Sequence, residues 1–215
     1  MRLIYTGYCI SGDLSRRFLR RSISIQHLER RRRILKKALD IIANKPNDFT
    51  VVVLDESTFV YDVIVKRVWI YKYRPIVRVT GSHKKTFVFG ALSIDGRQLF
   101  RQYDRFNANT FLKYLKELHK KFHKVILFMD NAKQHKAKKV IKYLEKNKDT
   151  ITVIWLPTSS PEFNAVEECW RQCEKDLFYC RLHKSFKDMR RSISKYYRTK
   201  RFNLNIVRYL TREAL

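Results

Sequence analysis

The 215-residue chain is poor in the residues that build special architectures. It holds 5 glycines and 4 prolines, too few for a collagen-like or low-complexity chain. Its 4 cysteines lack regular spacing, which argues against a secreted disulfide scaffold. No apolar run approaches the roughly 18 residues that span a bilayer, so no membrane segment is expected. The first residues, MRLIYTGYCISGDLSRR, place their charges after a short apolar patch, unlike a signal peptide. Acidic residues are scarce: 20 Asp and Glu stand against 47 Lys and Arg, a net charge of +27. That balance excludes a neutral surface and points to a polyanionic partner, nucleic acid first and an anionic membrane surface second. Hydrophobic residues make up 45%, enough for a real core.

The excess charge is spread along the chain. Net charges are +8 over residues 1–49, +10 over 50–170 and +9 over 171–215, so density is highest at the two ends. The cluster Asn44-Lys45-Pro46-Asn47-Asp48 marks a turn and divides a basic helical N-terminal segment, 1–49, from a catalytic-type domain, 50–215. Residues 14–43 read as helix, with Leu28, Ile34, Leu35, Leu39 and Ile42 at helical spacing. Inside it, Arg30, Arg31, Arg32 and Arg33 form either a solvated face or a phosphate-contacting arm.

The centre alternates short apolar runs with helical patterns. Strands are expected at 51–54, 68–71, 86–92, 125–129 and 151–156, with a turn at Asp95-Gly96. Helices are expected at 109–122, 136–147, 160–179 and 183–199. The order βββαβαβαα implies an α/β sheet with parallel members. Two fully apolar strands end in Asp55 and Asp130, as strands buried on both faces do. If these strands are parallel neighbours, the two carboxylates share one rim, about 5 Å apart. A third acid follows the last strand. Ser159-Ser160-Pro161-Glu162 carries helix-start signals, so Glu162 reads as a cap. Val166, Trp170, Cys173 and Leu177 form the next apolar stripe. Glu167 lies at the flank of that stripe and Glu168 on the solvent side, which selects Glu167 to reach the sheet rim. Three carboxylates without a glycine-rich phosphate loop suit hard divalent ions. Two such ions can activate a nucleophile and stabilise the leaving oxygen of a phosphodiester.

These residues resemble a known family. Leu54-Asp55-Glu56-Ser57, Met129-Asp130-Asn131-Ala132 with His135, and Leu156-Pro157 through Ser160-Pro161-Glu162-Phe163-Asn164-Ala165-Val166-Glu167 with Trp170 look like the catalytic domain of mariner-superfamily DDE transposases, in the bacterial and archaeal insertion-sequence branch. The resemblance covers about residues 50–200. It implies an RNase H-like mixed five-stranded sheet flanked by helices. It also implies Asp55, Asp130 and Glu167 as catalytic, metal-binding residues for two Mg²⁺ (or Mn²⁺) ions. The implied reaction is hydrolysis at transposon ends followed by attack of a 3′-hydroxyl on target DNA. The implied partners are double-stranded DNA and a second copy of the chain, a homodimer in synapsis, at the cytoplasmic nucleoid. Family members carry two helix-turn-helix units ahead of this domain, and residues 1–49 show no such pair. Two rivals stay open: an idle relic that binds DNA, and an RNase H-like structure-selective nuclease.

Further nucleic-acid contacts are expected at Lys84 and Lys85 in a hairpin turn, at His135, and at Arg190 and Arg191 on a basic C-terminal helix. His135 reads equally as a ligand-orienting group or a surface histidine. Tyr71, Tyr73, Arg74 and Arg78 interleave aromatics with charge, which suits stacking and phosphate contact or a half-exposed strand. Cys169, Cys173, Cys180 and His183 match no zinc module by spacing, and Cys173 reads as a buried thiol.

Overall fold

The computed structural model describes residues 29, 33, 36, 39–65, 76, 78–156 and 164–210. Its elements are β1 (Thr50–Val60), β2 (Lys85–Ser93), β3 (Gln98–Tyr103), α1 (Ala108–Phe122), β4 (Val125–Met129), α2 (Lys138–Lys146), β5 (Ile151–Trp155), α3 (Val166–Leu177), α4 (Phe186–Thr199) and α5 (Ile206–Leu210). They form one five-stranded sheet in the order β3-β2-β1-β4-β5. β1 runs antiparallel to β2 and β2 to β3, while β1–β4 and β4–β5 are parallel. The sheet is therefore mixed, with β1 and β4, whose apolar runs precede Asp55 and Asp130, adjacent towards its centre.

Strand alternation sorts the core into two layers. Val51 and Val53 of β1 pack with Trp170, Met189, Ile193 and Ile206 from α3, α4 and α5. Val52 and Leu54 pack with Phe111, Leu115, Leu118 and Val140 from α1 and α2. Both faces are covered, which is why β1 and β4 read as unbroken apolar runs. α1 begins with a reciprocal cap: the Asn107 side chain accepts from Asn109 and Thr110 N–H, and Thr110 Oγ1 accepts from Asn107 N–H at 3.1 Å. The β2–β3 turn falls at Asp95-Gly96, where Gly96 adopts φ 81°.

Several expectations differ from this structure. The strand expected at 68–71 lies outside the described residues, as do Arg30, Arg31, Arg32, Tyr71, Tyr73 and Arg74. β3 was not expected. It is an edge strand whose Gln98, Arg101 and Gln102 mask the period-2 pattern. β1 continues to Val60, well past its apolar half. Of the expected N-terminal helix, residues 29, 33, 36 and 39–43 are described and helical. Among the described residues no helix is long and apolar enough to cross a membrane.

Gly90 sits opposite Asp55 in the β1–β2 ladder. A Cβ there would lie 2.6 Å from both Phe100 and Trp170 ring atoms, so the missing side chain admits the indole against the sheet. Gly90→Ala should destabilise the fold by about 1–3 kcal/mol through overpacking, measured by denaturant unfolding. Intrinsic tryptophan fluorescence should shift as Trp170 is displaced.

Candidate active site

The parallel ladder lays the segments that lead to the two aspartates side by side. β1 and β4 are in register from Thr50–Val125 to Val53–Phe128. Two residues further along each strand lie Asp55 and Asp130. Asp130 stands just past the end of β4, at the rim where α/β sheets bind ligands.

Alternation then gives Asp55 and Glu56 opposite faces. Asp55 follows Val51 and Val53 to the α3 side, where Trp170 Nε1–H donates to its Oδ2 at 2.7 Å. Burial, then the Glu167 and Glu56 carboxylates, push Asp55 well above the usual carboxylate range, against the indole hydrogen bond. Glu167, at the start of α3, is exposed, yet its charge is felt at Asp55. Burial and Glu174 raise Glu167 as well. Asn164 fixes where this helix starts. Its Nδ2 donates to the Leu54 carbonyl at 2.9 Å, and its Oδ1 accepts from Val166 N–H at 3.1 Å. The helix N-terminus is thereby stitched to the residue preceding Asp55.

Glu56 points to the α1 side, into a buried chain of charges. His135 is fully buried. Its Nε2 lies 2.9 Å from Glu56 Oε1 and its Nδ1 2.9 Å from Asp130 Oδ1. The imidazole also packs on Phe111, with ring centroids 4.1 Å apart. Burial opposes a charged imidazole, but the hydrogen bonds to Asp130 and Glu56 outweigh it and lift His135 to about 10. At neutral pH the ring is therefore a cation donating from both nitrogens. Glu56, Asp130 and His135 do converge closely enough to hold a metal. In the chain without an ion, the imidazole bridges the two carboxylates. Burial raises Glu56, partly offset by His135. The His135 hydrogen bond holds Asp130 below its ordinary value.

The two aspartates are held by different donors. Asp130 Oδ1 accepts from His135 and from Ala132 N–H at 3.0 Å, while its side chain is 53% exposed. Asp55 commits Oδ2 to Trp170. Carboxylate oxygens suit hard cations such as Mg²⁺ or Mn²⁺, and among the described residues Glu56, Asp130 and His135 lie close enough together to hold one ion. An open cleft beside them is lined by Ser57, Thr58, Asn164, Glu167 and Trp170; neither Asp55 nor Asp130 lines it.

Other expected positions behave differently. His135 is buried, so it is not a surface histidine. Glu168 is not free in solvent: its side chain is 15% exposed and accepts from Arg171 Nε at 2.8 Å and from Gln172 at 2.9 Å. Those neighbours, three and four residues on, fold over it. Lys84 and Lys85 are exposed, and Lys85 opens β2 rather than lying in a tight turn. The β1–β2 ladder reaches Val60 opposite Lys85. Arg78 and Arg191 are exposed. Arg190 pairs with Asp104 at 2.6 Å, and Arg33 is exposed, 4.0 Å from Glu29. Cys169 and Cys173 are buried and Cys180 exposed.

A family signature for DDE superfamily endonucleases matches residues 50–190. The chain belongs to that family. No curated protein matched it in sequence. Among solved structures, the Mos1 transposase paired-end complex with left transposon end is 19% identical, with TM-score 0.69. The alignment covers 94% of this chain and 62% of that one, so this DDE endonuclease chain spans under two thirds of its relative's length. The mariner Mos1 paired-end complex with Mg is 17% identical, with TM-score 0.69, 96% of this chain and 64% of that one covered. The Mos1 catalytic domain alone is 17% identical, with TM-score 0.56 and 91% and 90% covered. The shared fold is the RNase H-like catalytic domain of these transposases.

Breaking the triad should be costly, because it strands a buried carboxylate. His135→Ala should destabilise the DDE endonuclease by about 3–5 kcal/mol. The His135 ring is raised from 6.5 to about 10 on folding. Its contribution is therefore complete below pH 6.5 and is lost as pH rises through about 10. Thermal melts without added metal should show wild-type stability falling across that window, and His135→Ala should flatten the fall.

Proposed function

We propose that this chain is the catalytic domain of a mariner-like DNA transposase, of the insertion-sequence branch. It hydrolyses phosphodiesters at transposon ends and joins the freed 3′-hydroxyl to target DNA. The observation that carries the reading is the parallel register of β1 and β4, which runs to Val53 and Phe128, two residues before Asp55 and Asp130, with Glu167 within electrostatic reach of Asp55, in a DDE endonuclease of net charge +27. Asp55, Asp130 and Glu167 are the proposed ligands of two Mg²⁺ or Mn²⁺ ions. Bound there, such ions would polarise the diester and lower the pKa of the attacking water or 3′-hydroxyl.

The chain's own residues prepare that chemistry. Trp170 fixes the Asp55 carboxylate, His135 turns one Asp130 oxygen inward, and Asn164 sets the helix that carries Glu167. Preorganised ligands lose little freedom when the site fills. Glu56 holds the far side of the His135 ring. Residues 1–49 would form a separate DNA-contacting segment, and two copies would synapse two ends.

Supercoiled plasmid with Mg²⁺ or Mn²⁺ tests the reading. Wild type should nick it, while Asp130→Ala should lose more than about 100-fold in rate, beyond the loss typical of a supporting residue, with DNA binding retained. Binding without nicking by the wild type would overturn the catalytic reading in favour of a DNA-binding relic. Equal nicking by both proteins would overturn the ligand assignment.

A further inference from the structure

A second surface on the molecule is built for a polyanion. β3 is an edge strand, and the helices α1 and α4, on opposite faces of the sheet, frame its free side. The result is an open groove of about 810 Å³. Arg101, Lys120, Lys121, Arg190, Arg198 and Arg201 line it, against one acid, Glu117. Glu117 is already engaged by Arg101 at 2.6 Å. Lys120, Arg198 and Arg201 are exposed and have no acidic partner among the described residues. Lys121 Nζ donates to the Gln98 carbonyl at 2.8 Å, which points its ammonium along the strand. Burial and the neighbouring Arg101, Arg201 and Arg97 guanidinium groups hold Lys121 below its ordinary value. This crowding of like charge is a standing penalty that a row of phosphates would relieve.

The groove is also distinct from the carboxylate cleft. One row crosses the sheet from Asp55 through Gly90 to Phe100, two strand spacings or about 10 Å. Trp170 stands between, bonded to Asp55 at 2.7 Å and edge-on to Phe100 at 5.7 Å. At about 3.4 Å per base pair, that separation is roughly three base pairs of duplex.

We propose that the groove along the edge of β3 binds the sugar–phosphate backbone of double-stranded DNA outside the reacting diester. The proposal rests on the DNA-transposase reading and extends it to a second contact. The chemistry favours backbone over bases. Phe100 is stacked on buried Tyr197 at 4.5 Å, so no ring in the groove is free to stack on an unpaired base, as single-strand binding requires. It also disfavours pairing of the edge strand with a second copy, since both rims carry the same sign as the rest of the chain.

The test compares two triple variants of equal net charge. One is Lys120→Gln/Arg198→Gln/Arg201→Gln, in the groove. The other is Lys142→Gln/Lys146→Gln/Lys148→Gln, on α2 and the loop after it. Affinity for a short DNA duplex is read by fluorescence anisotropy across a salt series without metal. Each lost phosphate contact should lower the slope of log K against log salt by about 0.9. The groove variant should therefore lose about 2–3 units of slope, and the control should stay close to wild type. Indistinguishable slopes for the two variants would overturn the proposal. So would an unchanged slope with an altered mass by light scattering, which would make the edge a chain–chain contact. In the plasmid assay the groove variant should need more DNA for half-maximal rate at unchanged maximal rate. The outcomes separate cleanly. Nicking by the wild type with equal slopes fails the groove alone, whereas a slope loss without any nicking keeps the groove and fails the catalytic reading.

Discussion

The short parallel ladder between β1 and β4 is the constraint on which the rest depends. It leads Asp55, midway along β1, and Asp130, just past β4, to the same end of the parallel ladder although they are 75 positions apart in the sequence. Nothing local could do this, because parallel neighbours require a crossover. Here the crossover contains the whole β2–β3 hairpin and α1. The hairpin extends the sheet on one side and supplies Gly90 opposite Asp55, while α1 covers the other face and supplies Phe111 against His135. Each part of the excursion thus returns a residue to the site it made possible.

The candidate site is stiffened by groups outside the proposed ligand set. The indole of Trp170 reaches Asp55 only because Gly90 leaves room. Asn164 ties the first turn of α3 to the backbone beside Asp55. His135 holds Asp130 through one nitrogen and is itself held by Glu56 through the other. The acids around this site sit in unlike environments. The raised Asp55 and Glu167 and the depressed Asp130 show how unevenly the strain falls. Where a hydrogen-bonded cation stands beside the acid the charge is kept, and where burial and other acids dominate it is resisted.

Much of this was legible in the sequence, for physical reasons. Strands buried on both faces are apolar throughout, so β1, β4 and their terminal aspartates stand out. The amphipathic stripe of α3 is equally plain. β3 was hidden because an edge strand framed by charged helices needs no apolar alternation. The second half of β1 was hidden because Glu56, Ser57 and Thr58 read as polar loop. The burial of His135 could not be read locally, since Glu56 lies 79 residues away and meets it only across the fold. Placing Glu168 in open solvent failed for a simpler reason. Helical angle gives a direction, but Arg171 and Gln172 decide what covers it.

The adjacent pair Asp55-Glu56 has one more implication. Consecutive residues on a strand face opposite sides of the sheet, so a single peptide unit serves two environments. Their lengths are matched to those tasks. The shorter side chain keeps its carboxylate close to the backbone under the indole, and the longer one spans the extra methylene to the deep imidazole. Exchanging the two would preserve composition, charge and strand tendency, yet leave one acid too long for its lid and the other too short for its counter-ion. In this molecule the order of two chemically similar letters is itself a structural instruction.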